Sequence, residues 1–133
     1  MEHKIKLKNT PVRNAILKIF KEASVPLDAE MVFKKISKIK DLKGTNEATI
    51  YRNLTTLEQG KVLRKIDLRK DSIHFELADL HHHHIVCTSC EKVEDFENKE
   101  IEKILSKVTK KSEKFTKVTD HSLELFGVCR ECA

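Results

Sequence analysis

NEATIYRNLTTLEQGKVLRKIDLRKDSIHFEL, residues 46–77, changes its hydrophobic period halfway along. Up to Gly60 the apolar positions Ala48, Ile50, Leu54 and Leu57 recur at helical spacing behind Asn46, a residue type whose side chain caps helix N-termini. Beyond Gly60 the chain alternates: Ile66 and Leu68, a polar Arg-Lys-Asp-Ser turn, then Ile73, Phe75 and Leu77. The pattern predicts a helix stopped near glycine and followed by a β-hairpin. With Ile73, Phe75 and Leu77 on the core face of the second strand, His74 and Glu76 fall on the opposite one.

Upstream, TPVRNAILKIFKEAS supplies Pro11 as a first-turn residue and Val12, Ala15, Ile16, Ile19 and Phe20 as an apolar face. Asp28 is placed to cap a second helix carrying Met31, Val32, Phe33, Ile36 and Ile39, and Gly44 breaks that pattern. Three helices and a hairpin in this order are the plan of a winged helix-turn-helix, whose third helix enters a DNA groove while the wing follows the backbone. Thr49, Tyr51, Arg52 and Thr55 are then the groove-facing candidates, with Arg13 on the first helix as a further DNA contact. The plainer alternative packs Tyr51 in the core and pairs Arg52 with an acid.

Charge separates the two parts of the chain. Residues 1–80 hold 17 Lys+Arg against 11 Asp+Glu, whereas residues 81–133 hold 9 against 10, within a total of +5 over 133 residues. A basic excess confined to the winged-helix half suits a polyanionic partner. No apolar run is long enough to span a bilayer, and MEHKIKLKNT lacks the apolar stretch of a secretory signal, so a cytoplasmic protein with no membrane partner is expected. Thiols stay reduced in that compartment.

All four cysteines lie in the second part, as Cys87-x2-Cys90 and Cys129-x2-Cys132 with 38 residues between the pairs. Two thiolates at one tight turn can face the same ion, and two such turns complete a closed tetrahedral Zn²⁺ shell, which leaves no position for a substrate. The expected zinc is structural. Before it run four histidines, 81–84; on an extended strand His82 and His84 face one way and His81 and His83 the other. Glu76, His82, His84 and a carboxylate such as Asp95 would make a mixed nitrogen and oxygen site suited to Fe²⁺, Mn²⁺ or Zn²⁺, and His81, His83, Glu102 and His121 a second one. The bland alternative is a strand of surface histidines holding no metal. HHIVC and KVEDF read as strands, ENKEIEKILSKVTKK as a helix with Ile101, Ile104, Leu105 and Val108 on one face, and FTKVTDHSLELFGVC as two more short strands. A sheet this small with one covering helix keeps an edge or face exposed, which argues for a dimer.

ATIYRNLTTLEQGKV, HFEL, HHHHIVCTSCEKVEDF and HSLELFGVCREC, in that order, resemble the ferric uptake regulator family of bacterial metal-dependent repressors, from about Thr10 to Cys132. The resemblance implies an α+β chain with an N-terminal winged-helix DNA-binding domain, residues 1–79, and a small α/β metal-binding dimerisation domain, residues 80–133. It also implies a homodimer on a palindromic double-stranded DNA operator, with no small organic substrate. By motif position it assigns Cys87, Cys90, Cys129 and Cys132 to structural Zn²⁺, Glu76, His82, His84 and Asp95 to a regulatory site, and His81, His83, Glu102 and His121 to a second metal site. Fe²⁺ or Mn²⁺ is the regulatory ion implied, with Zn²⁺ the alternative. Asp95 resembles the peroxide-sensing branch and Glu76 the iron-sensing one. One departure stands out: Val25, before Pro26, occupies the position of a further regulatory histidine, for which His74 and His3 are the candidate replacements. A zinc enzyme or a metal-storage module are the readings from other classes. The chain has no His-Glu-x-x-His pattern or recognisable nucleophile motif, and neither reading uses the basic winged helix with its recognition helix.

Overall fold

The computed structural model describes residues 8–79 and 83–133, and the chain divides into two compact units, Met1–Leu80 and His81–Ala133. His3, His81 and His82 lie outside the described residues.

The first unit runs α1 (Pro11–Glu22), β1 (Leu27–Asp28), α2 (Ala29–Ile36), a 3₁₀ turn (Lys40–Leu42), α3 (Glu47–Gln59), β2 (Leu63–Ile66) and β3 (His74–Leu77). Each helix begins on a side-chain cap. Thr10 Oγ1 accepts from Arg13 N at 3.1 Å, Asp28 Oδ1 from Met31 N at 2.8 Å, and Asn46 Oδ1 from Thr49 N at 2.9 Å. These bonds satisfy amide groups that the helices cannot pair internally. Gly60 closes α3, but the left-handed residue that turns the chain into β2 is Lys61, at φ 62°.

Ile16, Val32, Ile36, Ile50, Leu54, Leu57 and Leu63 are essentially inaccessible and bind the three helices to the sheet. Burying each contributes about 1.5–3 kcal/mol. Ala48 departs from the expected face and is exposed, in the first turn of α3. The hairpin also differs from its alternation. Ile73 lies outside β3 and is 57% exposed, while His74, Phe75, Glu76 and Leu77 are all buried. Strand β3 is central in a sheet ordered β1-β3-β2, with the two-residue β1, which no periodicity announces, on its other edge, and on its second face His74 lies against Asp28 and Glu76 against Arg64.

Asp28 links that edge to the wing. Its Oδ2 accepts from Ser72 Oγ at 2.7 Å and lies 4.0 Å from His74 Nε2. Burial opposes the charged carboxylate, but the Ser72 and Met31 hydrogen bonds, with His74 and Lys34 nearby, outweigh it and hold Asp28 below its ordinary 3.8. A lowered carboxyl value adds stability that is present above the unfolded value and lost as pH falls through the folded one. Asp28→Ala is therefore expected to cost about 1 kcal/mol near neutrality. In urea titrations that loss should shrink below pH 3.8.

The second unit runs β4 (His83–Cys87), β5 (Val93–Phe96), α4 (Lys99–Ser106), a 3₁₀ turn (Val108–Lys111) and β6 (Glu124–Gly127). Strand β4 is central, antiparallel to β5 and parallel to β6. One expected strand is missing: residues 115–118 form none, and Phe115 and Val118 are 68% and 47% exposed. Alternation there marks a face to cover, but both sides of β4 are already paired. Ile104 and Val108 on the helical segment are likewise exposed. Among the described residues of this unit only Val86 and Cys87 count as buried hydrophobics. So thin a core needs a staple.

Candidate metal centres

The staple is where the chain returns on itself. Cys87 ends β4 and Cys129 follows β6, and Thr88 N donates to Gly127 O at 2.8 Å across the junction. The Sγ atoms of Cys87, Cys90, Cys129 and Cys132 lie within 4.8 Å of one another, and all four thiols are free. The turn of the first pair is closed by Glu91 N donating to Cys87 O at 2.9 Å, with Glu91 at φ 65°. Cys132 N closes the second onto Cys129 O at 3.1 Å. Lys92 and Glu131 join the two turns by an ion pair at 3.2 Å.

Zinc fits this cage. Sulfurs about 2.3 Å from a tetrahedral ion stand about 3.8 Å apart. Cys90 Sγ and Cys129 Sγ are 3.7 Å apart. Charge points the same way. Amide donation from Cys90, then Cys129 and Ser89, holds the Cys87 thiol down at about 6. Cys132 is pushed up to about 12, by hydrogen bonding to Cys129 first and then to Cys90. One thiolate forms readily and the last is resisted, a conflict that a shared divalent cation removes.

The consecutive histidines of β4 enter different surroundings. His83, fully buried, places Nε2 against Glu102 of α4, whose Oε2 lies 3.2 Å from His121 Nε2. The rings of His83 and His121 are 5.4 Å apart, and Phe96 packs 5.6 Å from His83. The donor atoms of His83, Glu102 and His121 all fall within 4.8 Å, so three of the four residues expected for the second metal site come together.

His84, also fully buried, turns its Nε2 to Asp95 Oδ1 at 3.5 Å and its Nδ1 to Glu124 Oε1 at 3.7 Å. The registers His84↔Asp95 and His84↔Glu124 place a carboxylate on either flank. One nitrogen and one oxygen at 3.5 Å can share an ion of ordinary ligand distance, about 2.1 Å. Glu124 was not anticipated, because only the parallel pairing of β6 brings it beside β4. Ser122 Oγ fixes it, donating at 2.8 Å.

Glu76 belongs to the first unit, where it is buried on β3 and accepts from Arg64 Nε at 2.9 Å. Arg64 was also unanticipated. Val25, half-buried, offers no donor group. His74 is committed locally: Nδ1 lies 3.1 Å from Ser72 O and Nε2 faces Asp28.

On α3, Tyr51, Arg52 and Thr55 are exposed and Thr49 half-buried, so Tyr51 is not a core residue. Among the described residues Arg52 pairs with no acid; its Nη2 donates to Thr49 Oγ1 at 3.2 Å. Arg13 is half-buried, giving Nε to Asn53 Oδ1 at 3.0 Å and Nη1 to Lys8 O at 3.1 Å.

Known proteins share this arrangement. The sequence model of the Ferric uptake regulator family matches residues 4–126. The Neisseria gonorrhoeae ferric uptake regulation protein is 37% identical over 128 residues, covering 95% of this chain and 86% of that protein. The Staphylococcus aureus peroxide-responsive repressor PerR is 30% identical, covering 92% and 80%. Among solved structures, the Helicobacter pylori ferric uptake regulator Fur, described as having three functional metal binding sites, superposes with a TM-score of 0.80 at 31% identity, covering 95% and 82%. A winged helix joined to a small α/β unit rich in metal donors, matched over nearly its whole length, thus makes this chain a member of the ferric uptake regulator family, metal-responsive transcriptional repressors that bind DNA as dimers and are not enzymes.

Proposed function

We propose that the protein is a cytoplasmic homodimeric repressor that grips a palindromic operator when a regulatory divalent metal is bound, and that it takes no small organic substrate. Residues 1–79 read the DNA, and residues 80–133 dimerise and hold metal. The observation that carries this reading is the pair of consecutive histidines on β4, His83 beside Glu102 and His121 and His84 beside Asp95, with four converging thiols at the strand's end.

In this reading Cys87, Cys90, Cys129 and Cys132 hold structural Zn²⁺. Glu76, His82, His84 and Asp95 form the regulatory site for Fe²⁺ or Mn²⁺, with Zn²⁺ the alternative, and His81, His83, Glu102 and His121 form the second site. The hard carboxylate donors beside imidazole favour Fe²⁺ or Mn²⁺ there, whereas the all-thiolate set favours zinc. A bound cation supplies a charge that donors from separate elements share. Holding those donors together selects the arrangement of the two winged helices that matches the operator half-sites, a shift of population. Peroxide sensing is the second reading, favoured by Asp95 and by the likeness to the S. aureus repressor.

On the DNA side Arg52, oriented by Thr49, reaches a guanine edge or a phosphate, with Tyr51, Thr55 and Arg13 beside it. Exposed apolar residues Ile104, Val108, Phe115 and Val118 support a dimer face in the second unit. Selection from a random-sequence duplex library in the presence of Mn²⁺ tests the DNA reading. A two-fold symmetric consensus is expected, bound with a steep salt dependence. Arg52→Ala should weaken binding to it by about 1–3 kcal/mol. Enrichment of no sequence, or of an asymmetric single site, would contradict the reading.

A further inference from the structure

Glu76 is a buried carboxylate that already has a cation. It stands directly opposite Arg64 in the register of β2 and β3. The guanidinium donates through Nε, at 2.9 Å, and through Nη2, both to Oε1. The side chains are only 6% and 18% exposed, so the pair is screened from water. A carboxylate removed from solvent must be neutralised by a proton, a metal or a positive side chain, and here two charge-assisted guanidinium donors converge on one of its oxygens. Arg64 supplies that positive charge.

Lys65, the next residue on β2, shows what an ordinary cation in this hairpin does. It is exposed and pairs loosely with Glu58 at 3.6 Å. The neighbouring side chain instead turns inward onto Glu76. Any cation that takes Glu76 must draw its oxygen away from a guanidinium that is always charged, or accept a like charge close by.

We propose that Arg64 sets the sensing threshold of the regulatory site, as a tethered rival cation for Glu76 that keeps the site empty until divalent metal is abundant. The inference rests on the reading of Glu76 as a regulatory ligand.

Mn²⁺ titration of the full-length, zinc-loaded protein under anaerobic conditions tests this with Arg64→Gln, Glu76→Gln and the double variant, each checked for an intact fold by circular dichroism. Glu76→Gln should weaken one Mn²⁺ binding event. Arg64→Gln should tighten that event about tenfold or more, and the double variant should match Glu76→Gln, since without the carboxylate Arg64 has nothing to withhold. Should Arg64→Gln not fold, Arg64→Lys keeps the charge but loses the fork, and a smaller tightening of the same event is expected. Unchanged or weaker Mn²⁺ binding in the folded Arg64 variant, with Glu76→Gln still impaired, overturns the threshold role and leaves Glu76 a ligand. If Glu76→Gln binds Mn²⁺ as the parent does, the ligand reading itself fails and takes the inference with it.

Discussion

Cys129→Ser is expected to empty the thiolate cage of zinc and to melt the second unit. The expectation follows from how little else holds that unit. Its described buried hydrophobics are Val86 and Cys87, its helical segment leaves Ile104 and Val108 in water, and the β4–β6 junction is closed by the cysteine turns. Cys129 contributes both a sulfur, 3.7 Å from Cys90, and an amide that donates to Cys87 at 3.4 Å. Serine supplies no thiolate, and three sulfurs leave the shell open. Loss of a structural metal belongs to the largest class of single-residue effects, at least about 4 kcal/mol. For a unit this small that corresponds to a fall in melting temperature of roughly 15–30 °C. Metal analysis by mass spectrometry and a thermal melt followed by circular dichroism check it together. Chelation of the parent protein under reducing conditions should give the same melt. A zinc-free variant melting with the parent would show that the cage staples nothing.

Leu57→Ala should destabilise the other unit almost as severely while leaving the zinc in place. Leu57 is fully buried on α3, the helix that carries Arg52 and Tyr51. Truncation removes three carbons from a site packed by all three helices and the sheet, and the cavity cannot collapse without moving α3. A cost of about 2–5 kcal/mol is expected, a large part of the stability of a domain this size. DNA affinity should fall with the folded fraction. Urea unfolding and zinc content, measured on one sample, separate the two units: stability lost with stoichiometric zinc retained is the expected pair of results. By comparison, Ala48→Ser on the exposed face of the same helix should change stability by no more than about 0.5 kcal/mol.

The contrast between Leu57 and Ala48 shows what the amino-acid order reveals. Asp28 and Asn46 were legible as caps, because a short polar acceptor before an apolar period has one common use. Ile50, Leu54 and Leu57 were legible from spacing. Ala48 was not, since its position on the wheel does not say that the first turn of α3 projects beyond the core. The wing was half legible. Its turn and strands followed from alternation, but alternation assumes an exposed second face, and there His74 and Glu76 are buried beside Asp28 and Arg64, so Ile73 and His74 exchanged expectations.

The metal donors divide in the same way. Cys-x2-Cys spacing is local geometry and announces a cage by itself. The separation of His83 from His84 followed from strand alternation, which holds on any extended chain. Arg64 and Glu124 were invisible because each meets its partner through strand register, across 12 residues in one case and 40 in the other. No local pattern carries that information. The run at 115–118 erred oppositely: its alternation is real, but a strand also needs a neighbour.

In the proposed function, metal donors on β4 and β5 govern the hold of α3 on DNA. Fluorescence anisotropy of the selected operator duplex, titrated anaerobically with zinc-loaded protein at fixed salt, measures it with and without Fe²⁺, Mn²⁺ or added Zn²⁺. A coupling of about 1–3 kcal/mol, hence roughly 5–150-fold tighter binding with the cognate metal, is expected. His84→Ala, which removes the nitrogen facing Asp95, should abolish that difference and leave metal-free affinity unchanged. Equal operator affinity in the parent protein with and without all three metals would contradict the account.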